Sequence, residues 1–234
     1  MRVIVTRPEY SAGGTAERLK SLGHEPVLIP LMKALHDQEA VMRALAQPHA
    51  VLAVTSAEAL RALSNHKDDL GSHLATPVFA VGTATAQAAE ELGFTDIRTG
   101  PGGGRGLADL IAAQAGSRPV LYLAGNPRSP HFEAACSEKH VPLHVAEIYR
   151  MLPIAYDLAE IGARLDDREA DAVLLYSAES ARLFFDGPAR HLVRLRNLMV
   201  LVISDAVLER IPTQLHHNVR VAARPDEDGI FALL

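Results

Sequence analysis

Small hydroxyl and amide residues recur where apolar runs of this chain end: Thr6-Arg7, Thr55-Ser56, Gly82-Thr83-Ala84-Thr85, Gly125-Asn126, Ser177 and Ser204-Asp205. Each apolar run reads as a buried strand, and each polar group stands where the next helix begins. Ser, Thr and Asn cap helices at such positions, and the first-turn amides beyond them lack partners and carry the positive end of the helix dipole. The chemistry on offer is anion binding by hydroxyls and backbone N–H groups, and carboxylates suit it. Thr85 falls past the cap, in the first helical turn, where its hydroxyl is expected to face a ligand. Ser56 and Ser177 lack a G-x-S-x-G setting, so they are caps and ligand contacts rather than hydrolase nucleophiles.

Other chemistries find no complete signature. PGGGRG at 101–106 lacks the Gly-Lys-Ser/Thr ending of a phosphate loop and completes no G-x-G-x-x-G, so it is expected to be a loop ahead of a helix. The eleven histidines show no metal spacing; His140 and His144 are four apart, but Pro142 between them argues against a shared helix. No metal, nicotinamide, flavin or other cofactor is expected. Cys136 is the single cysteine, set in a helical stretch, which excludes an internal disulfide and points to packing. The net charge of −5, from 28 acidic and 23 basic residues interspersed, speaks against a nucleic-acid partner. The chain enters a strand at once instead of a signal peptide and has no long apolar run, so no membrane partner and a cytoplasmic location are expected.

The elements that must position these residues alternate. Strands are predicted at 2–6, 25–31, 50–55, 77–81, 95–99, 119–124, 141–150, 171–176, 198–203 and 218–223, with helices near 12–22, 38–46, 57–66, 84–92, 106–115, 129–140, 157–165, 178–186 and 205–211. Strands separated by helices imply parallel sheets flanked by helices on both faces. A unit also recurs: AVLAVTSAE at 50–58 is echoed by DAVLLYSAES at 171–180, and VFAVGTATA at 78–86 by MVLVISDAV at 199–207. The fold class is therefore α/β, with two similar domains. The extended stretches 24–34 and 141–153 run past normal strand length and act as a two-stranded linker. The first domain is then discontinuous, residues 1–34 with 153–234, around an inserted second domain, 35–152; two linkers permit hinge opening while limiting twist.

Taken in order, VIVTRP at 3–8, LGHEPVLIPLM at 22–32, VTSAEAL at 54–60, VFAVGTATAQAAEELG at 78–93, VLYLAGN at 120–126 and VAEIYRM at 145–151 resemble the uroporphyrinogen-III synthase family of tetrapyrrole biosynthesis. The resemblance implies a cofactor-free enzyme that closes the linear tetrapyrrole hydroxymethylbilane with loss of water and inversion of the last pyrrole ring. It implies substrate held in an interdomain cleft largely by backbone amides. Carried over by position, Thr85 matches the family threonine, Tyr149 the tyrosine that is the candidate acid, Ser56 and Ser177 the cleft serines, and Arg7 the arginine of the first turn. Thr55, Gly82, Thr83, Gly125, Asn126 and Ser204 complete the expected substrate contacts. The second half departs from the pattern at Ser204-Asp205-Ala206-Val207, where Asp205 is expected to cap its helix. Arg7, Arg128 and Arg150 are the cations that could meet substrate carboxylates. A monomer is expected. The alternative is a two-domain protein that binds or senses a small anion without catalysis.

Overall fold

A computed structural model describes residues 1–192 and 195–234. The chain divides into two compact units, Met1–Lys33 with Leu152–Leu234, and Ala34–Met151. The first unit opens with β1 (Arg2–Val5), α1 (Glu9–Ser21) and β2 (Glu25–Leu28). The chain continues through β3 (Met32–His36), α2 (Gln38–Leu45), β4 (Val51–Val54), α3 (Ala57–Ser64), β5 (Val78–Ala80), α4 (Thr83–Leu92) and β6 (Ile97–Thr99). Next come α5 (Gly104–Ala115), β7 (Val120–Asn126), α6 (His131–Glu138) and β8 (Leu143–Pro153). The first unit is completed by α7 (Leu158–Leu165), β9 (Ala172–Leu175), α8 (Ala178–Asp186), β10 (Met199–Val202), α9 (Asp205–Leu208), β11 (Val219–Val221) and α10 (Glu227–Phe231).

Residues of β4 and β9 are buried throughout. That is why their sequences are continuous apolar runs rather than alternating ones: helices cover both faces of each sheet. The first sheet runs β11-β10-β9-β1-β2, all parallel. The second runs β3-β8-β7-β4-β5-β6, parallel from β8 to β6. Reversed and stripped of β3, the second order maps onto the first with β4, β5, β6, β7 and β8 in the places of β9, β10, β11, β1 and β2. The two units are therefore one architecture in two circular permutations, which explains why the sequence echo begins at β4 and β9 rather than at the chain start.

The predicted strand 25–31 ends at Leu28, and the longer extended stretch 24–34 reaches into a second strand. The chain leaves the first sheet at Leu28, and the stretch after Pro30, which has no N–H to give a ladder, becomes β3 of the second sheet. Asp37 N–H donates to the Ile148 carbonyl and Ile154 N–H to the Leu31 carbonyl, each at 2.9 Å. Partner numbers fall on one strand as they rise on the other, so β3 and β8 run antiparallel. Both unit boundaries fall inside these two strands. The predicted helix at 205–211 stops at Leu208, and α10, capped by Asp226, has no counterpart among the predicted elements.

Candidate active site

The chain crosses over on opposite faces of each sheet at one point. In the first unit α1 packs through Ala12 and Leu19 with Val3 and Val5, whereas α8 packs through Ala181 and Phe184 with Ile4 and Val173 on the other face. In the second, α3 packs with Leu52 and Val54, and α6 packs with Val51 and Ala53 across the sheet. The connections that leave β1 and β9, and likewise β4 and β7, thus part to opposite faces at the carboxyl ends of these paired strands, the position where open parallel sheets bind ligands. Thr6, Arg7 and Ser177 stand at the first of these points, and Thr55, Ser56, Gly125 and Asn126 at the second. Gly82, Thr83, Thr85 and Ser204 follow the adjacent strands β5 and β10.

Local bonding shows what several of these groups already do. Ser56 caps α3, its Oγ accepting from Glu58 N–H at 3.1 Å, and Ser177 caps α8 in a reciprocal box with Ser180. Thr6 Oγ1 donates to the Leu174 carbonyl at 2.7 Å, tying β1 to β9. Thr55 Oγ1 shares a 2.7 Å bond with the Tyr122 hydroxyl, whose phenol is pushed up from its ordinary value by burial. Gly82 caps α4 with extended backbone and no side chain; Thr83 is exposed, but Thr85 is buried, not open to solvent. Asp205 does not cap α9. Ser204 holds the cap position, its carbonyl accepting from Val207 and Leu208 N–H, and Asp205 is the exposed first helical residue, where its charge suits the dipole.

The cations are engaged by acids that the sequence pattern did not place beside them. Arg7 donates to Glu227 of α10 at 2.8 Å and lies 4.7 Å from the centre of the Tyr176 ring. Desolvation, and next the nearby Glu227 charge, raise the Tyr176 phenol. Arg128 bridges Glu133 at 2.6 Å and Glu147 at 2.5 Å; these bonds raise Arg128, and the Arg128 bond chiefly holds the Glu147 carboxyl below its usual range. Arg150 is exposed on β8. Glu58, 3 % exposed, is the buried charge that sequence reasoning missed; it meets His36 at 2.6 Å and Arg61 at 3.2 Å. Its signal was the repeated Ser-Ala-Glu, although the second copy, Glu179, stays 47 % exposed.

Tyr149 sits in β8 opposite Gly125, buried, with its phenol against that glycine. Cys136 is buried on α6, and desolvation pushes its thiol up to about 11, which suits packing and not nucleophilic attack. The expected loop at 101–106 is shorter, because α5 already begins at Gly104. Gly104 and Gly106 serve packing, since a Cβ on Gly104 would meet Phe132 N at 2.8 Å and one on Gly106 would meet Pro101 at 2.6 Å, whereas Gly102 and Gly103 supply positive φ. A cavity of about 810 Å³ lined by Leu158, Ile161, Leu165, Leu192 and Leu198 lies at the amino ends of β9 and β10. Its exposed lining is mainly apolar, although Asp167, Arg168, Glu169 and His191 also border it, and it lies at the end opposite the polar groups, so the candidate site is placed at the carboxyl ends. Among the described residues no group of three or more His, Cys, Asp and Glu side chains could hold a metal, and no helix is long and apolar enough to cross a membrane.

Comparison with known proteins bears on this arrangement. The chain is similar to the solved uroporphyrinogen-III synthetase of Helicobacter pylori, with 15 % identity and a TM-score of 0.68, covering 100 % of this chain and 98 % of that one. It is similar to a mutant uroporphyrinogen III synthase of the extremely thermophilic bacterium Thermus thermophilus, with 22 % identity and a TM-score of 0.53, covering 90 % of this chain and 87 % of that one. At these identities the likeness establishes the fold. No curated protein matches the chain. A family profile described as Uroporphyrinogen-III synthase HemD matches residues 14–232, nearly the whole length. With the second unit and most of the first inside that match, this chain belongs to the uroporphyrinogen-III synthase family.

Proposed function

We propose that this protein closes hydroxymethylbilane to uroporphyrinogen III, losing water and inverting the last pyrrole ring, and that the groups at its strand carboxyl ends carry the reaction. The observation that carries the activity is the family match over residues 14–232. The substrate is a polycarboxylate, and the protein's net charge is −5. Attraction must therefore be local. Arg7 and Arg128 are held by Glu227, Glu133 and Glu147. The amino ends of α3, α4 and α8, with their first-turn amides and dipoles, are better placed to receive carboxylates. Ser56, Gly82, Thr83 and Ser177 lie at those ends, and Arg7, Thr55, Thr85, Gly125, Asn126 and Ser204 shape the surroundings.

In the chemical step the pyrrole nitrogen lone pair expels the hydroxyl of the bilane. The C–O bond breaks, the oxygen takes a proton and leaves as water, and an azafulvene-like cation remains. Tyr149 is the proposed donor of that proton, since a phenol is neutral and protonated near pH 7. The substituted carbon of the last ring then attacks, giving a spiro intermediate that fragments and recloses in the inverted sense. The proton lost from the ring carbon that closes the macrocycle restores a neutral pyrrole and balances the proton donated to the leaving water. Most of the task is orientation, which needs shape and distributed contacts more than a strong base. The reading includes a monomer acting in the cytoplasm. Its test is to supply hydroxymethylbilane and separate the oxidised uroporphyrin isomers. Type III is expected; type I alone, at the uncatalysed rate, would return the chain to the anion-binding reading.

A further inference from the structure

Side chains on a strand alternate between faces, and β8 breaks that alternation once. Leu143 and Val145 pack on the face covered by α5 and α6, and Ala146 and Ile148 on the face covered by α2, α3 and α4. Strict alternation would send Tyr149 to the α5–α6 face. Instead the pairing slips: Ala124 faces Glu147, the next β7 residue Gly125 faces Tyr149, and Ile148 is the extra residue of a bulge. Tyr149 thereby joins Ile148 and Met151 on the face that carries the amino ends of α3 and α4.

The ring it presents fits only because its strand partner is glycine. A Cβ at Gly125 would stand 2.2 Å from Tyr149 Cζ and 2.5 Å from its hydroxyl oxygen. The phenol end therefore lies against Gly125 Cα, at the carboxyl end of a switch-point strand, and the requirement there is space. Glu147, the last residue before the bulge, grips the β7 turn with both carboxylate oxygens. Asn126 Nδ2 donates to one at 3.1 Å and Arg128 to the other at 2.5 Å, and Arg128 also reaches the Gly125 carbonyl at 3.4 Å.

We propose that Gly125, with the β8 bulge and its Glu147 clamp, is the positioning residue that aims the Tyr149 hydroxyl for ring closure. The inference rests on Tyr149 being the proton donor. Because a misplacement of about 1 Å can cost about 10²-fold, Gly125→Ala is expected to lower kcat about 10²-fold while KM stays within about threefold. In 3-fluorotyrosine-labelled protein, the fluorine NMR signal of Tyr149 should move more than those of Tyr10 and Tyr176. In the Tyr149→Phe background Gly125→Ala should add less than about a twofold loss, since the group it misplaces is gone. Additive losses, or normal turnover in Gly125→Ala, would overturn the proposal while leaving the acid role of Tyr149 standing. A fully active Tyr149→Phe would instead remove the acid role itself, and the proposal with it. Should Gly125→Ala fail to fold, Glu147→Ala at a partly exposed position decides: a kcat loss of about tenfold that vanishes in the Tyr149→Phe background is expected, and unchanged turnover would refute the positioning role.

Discussion

Two copies of one motif should respond differently to the same substitution. Glu58 and Glu179 each follow their capping serine by two residues, in the first turn of α3 and of α8. The Glu58 side chain is 3 % exposed and holds His36 at 2.6 Å and Arg61 at 3.2 Å, whereas Glu179 is 47 % exposed and pairs with Arg182 at 2.7 Å on its own helix. Removing one member of a buried pair costs about 3–5 kcal/mol, much of it from the partner left behind. Arg61 is 36 % exposed and can return to water, so the expectation for Glu58→Ala falls to about 2–3 kcal/mol. For Glu179→Ala it is about 0.3–0.5 kcal/mol, the usual yield of an exposed pair. Because the chain has two units, peptide-resolved hydrogen exchange under native conditions is the suitable assay. Exchange across residues 57–64 should quicken about 30- to 150-fold in Glu58→Ala, and across 178–186 by no more than about threefold in Glu179→Ala. Equal acceleration in the two variants would refute the claim that burial, and not the shared motif, sets the role of the carboxylate.

Tyr149→Phe keeps the ring and removes the proton; turnover should fall on the order of 10²-fold with the product still type III, and full activity would reduce Tyr149 to scaffolding. Ser56→Ala and Ser177→Ala should each lose about 1 kcal/mol of stability as caps and weaken substrate use by less than about tenfold, measured by hydrogen exchange across α3 and α8 and by kcat/KM. A thousandfold loss in either, with folding intact, would mark a nucleophile. Glu147 is held below the usual carboxylate value of 4.5, chiefly by Arg128 and then by Asn126. A depressed carboxyl adds stability above its unfolded pKa and loses it as pH falls through the folded value. The stability gap between the native protein and Glu147→Gln should therefore be constant near neutrality and shrink below about pH 4.5; a gap independent of pH would contradict the Arg128–Glu147 pairing.

Where the sequence carries a strong period, the fold was legible. The runs at β4 and β9 announce fully covered strands, and their serines announce the helices that follow. Their recurrence revealed two similar α/β units. Short elements were hidden: β3 reads MKALH, part of a longer extended stretch, and the five residues of α10 are too few to show a helical period. That omission concealed Glu227, and with it the partner of Arg7. The candidate site shows the same division. Strand ends and caps follow from local pattern, so the placement of Ser56, Ser177, Gly82 and Thr83 could be anticipated. Burial and cross-strand partners could not, which is why the engagement of Thr55 by Tyr122, the burial of Thr85 and the bulge that turns Tyr149 emerge only from the packed sheet. Asp205 was misplaced by one residue because Ser and Asp both cap well, and only the backbone shows that Ser204 takes the position.

Isomer composition tests the central claim most directly. Hydroxymethylbilane is incubated with the purified chain or with heat-inactivated chain, and the oxidised uroporphyrins are separated and quantified. The intact protein should yield predominantly type III at a rate proportional to its concentration, while the inactivated sample yields type I from unassisted closure. Type I in both samples, at equal rates, would contradict the assignment of this chain as the enzyme that inverts the last ring.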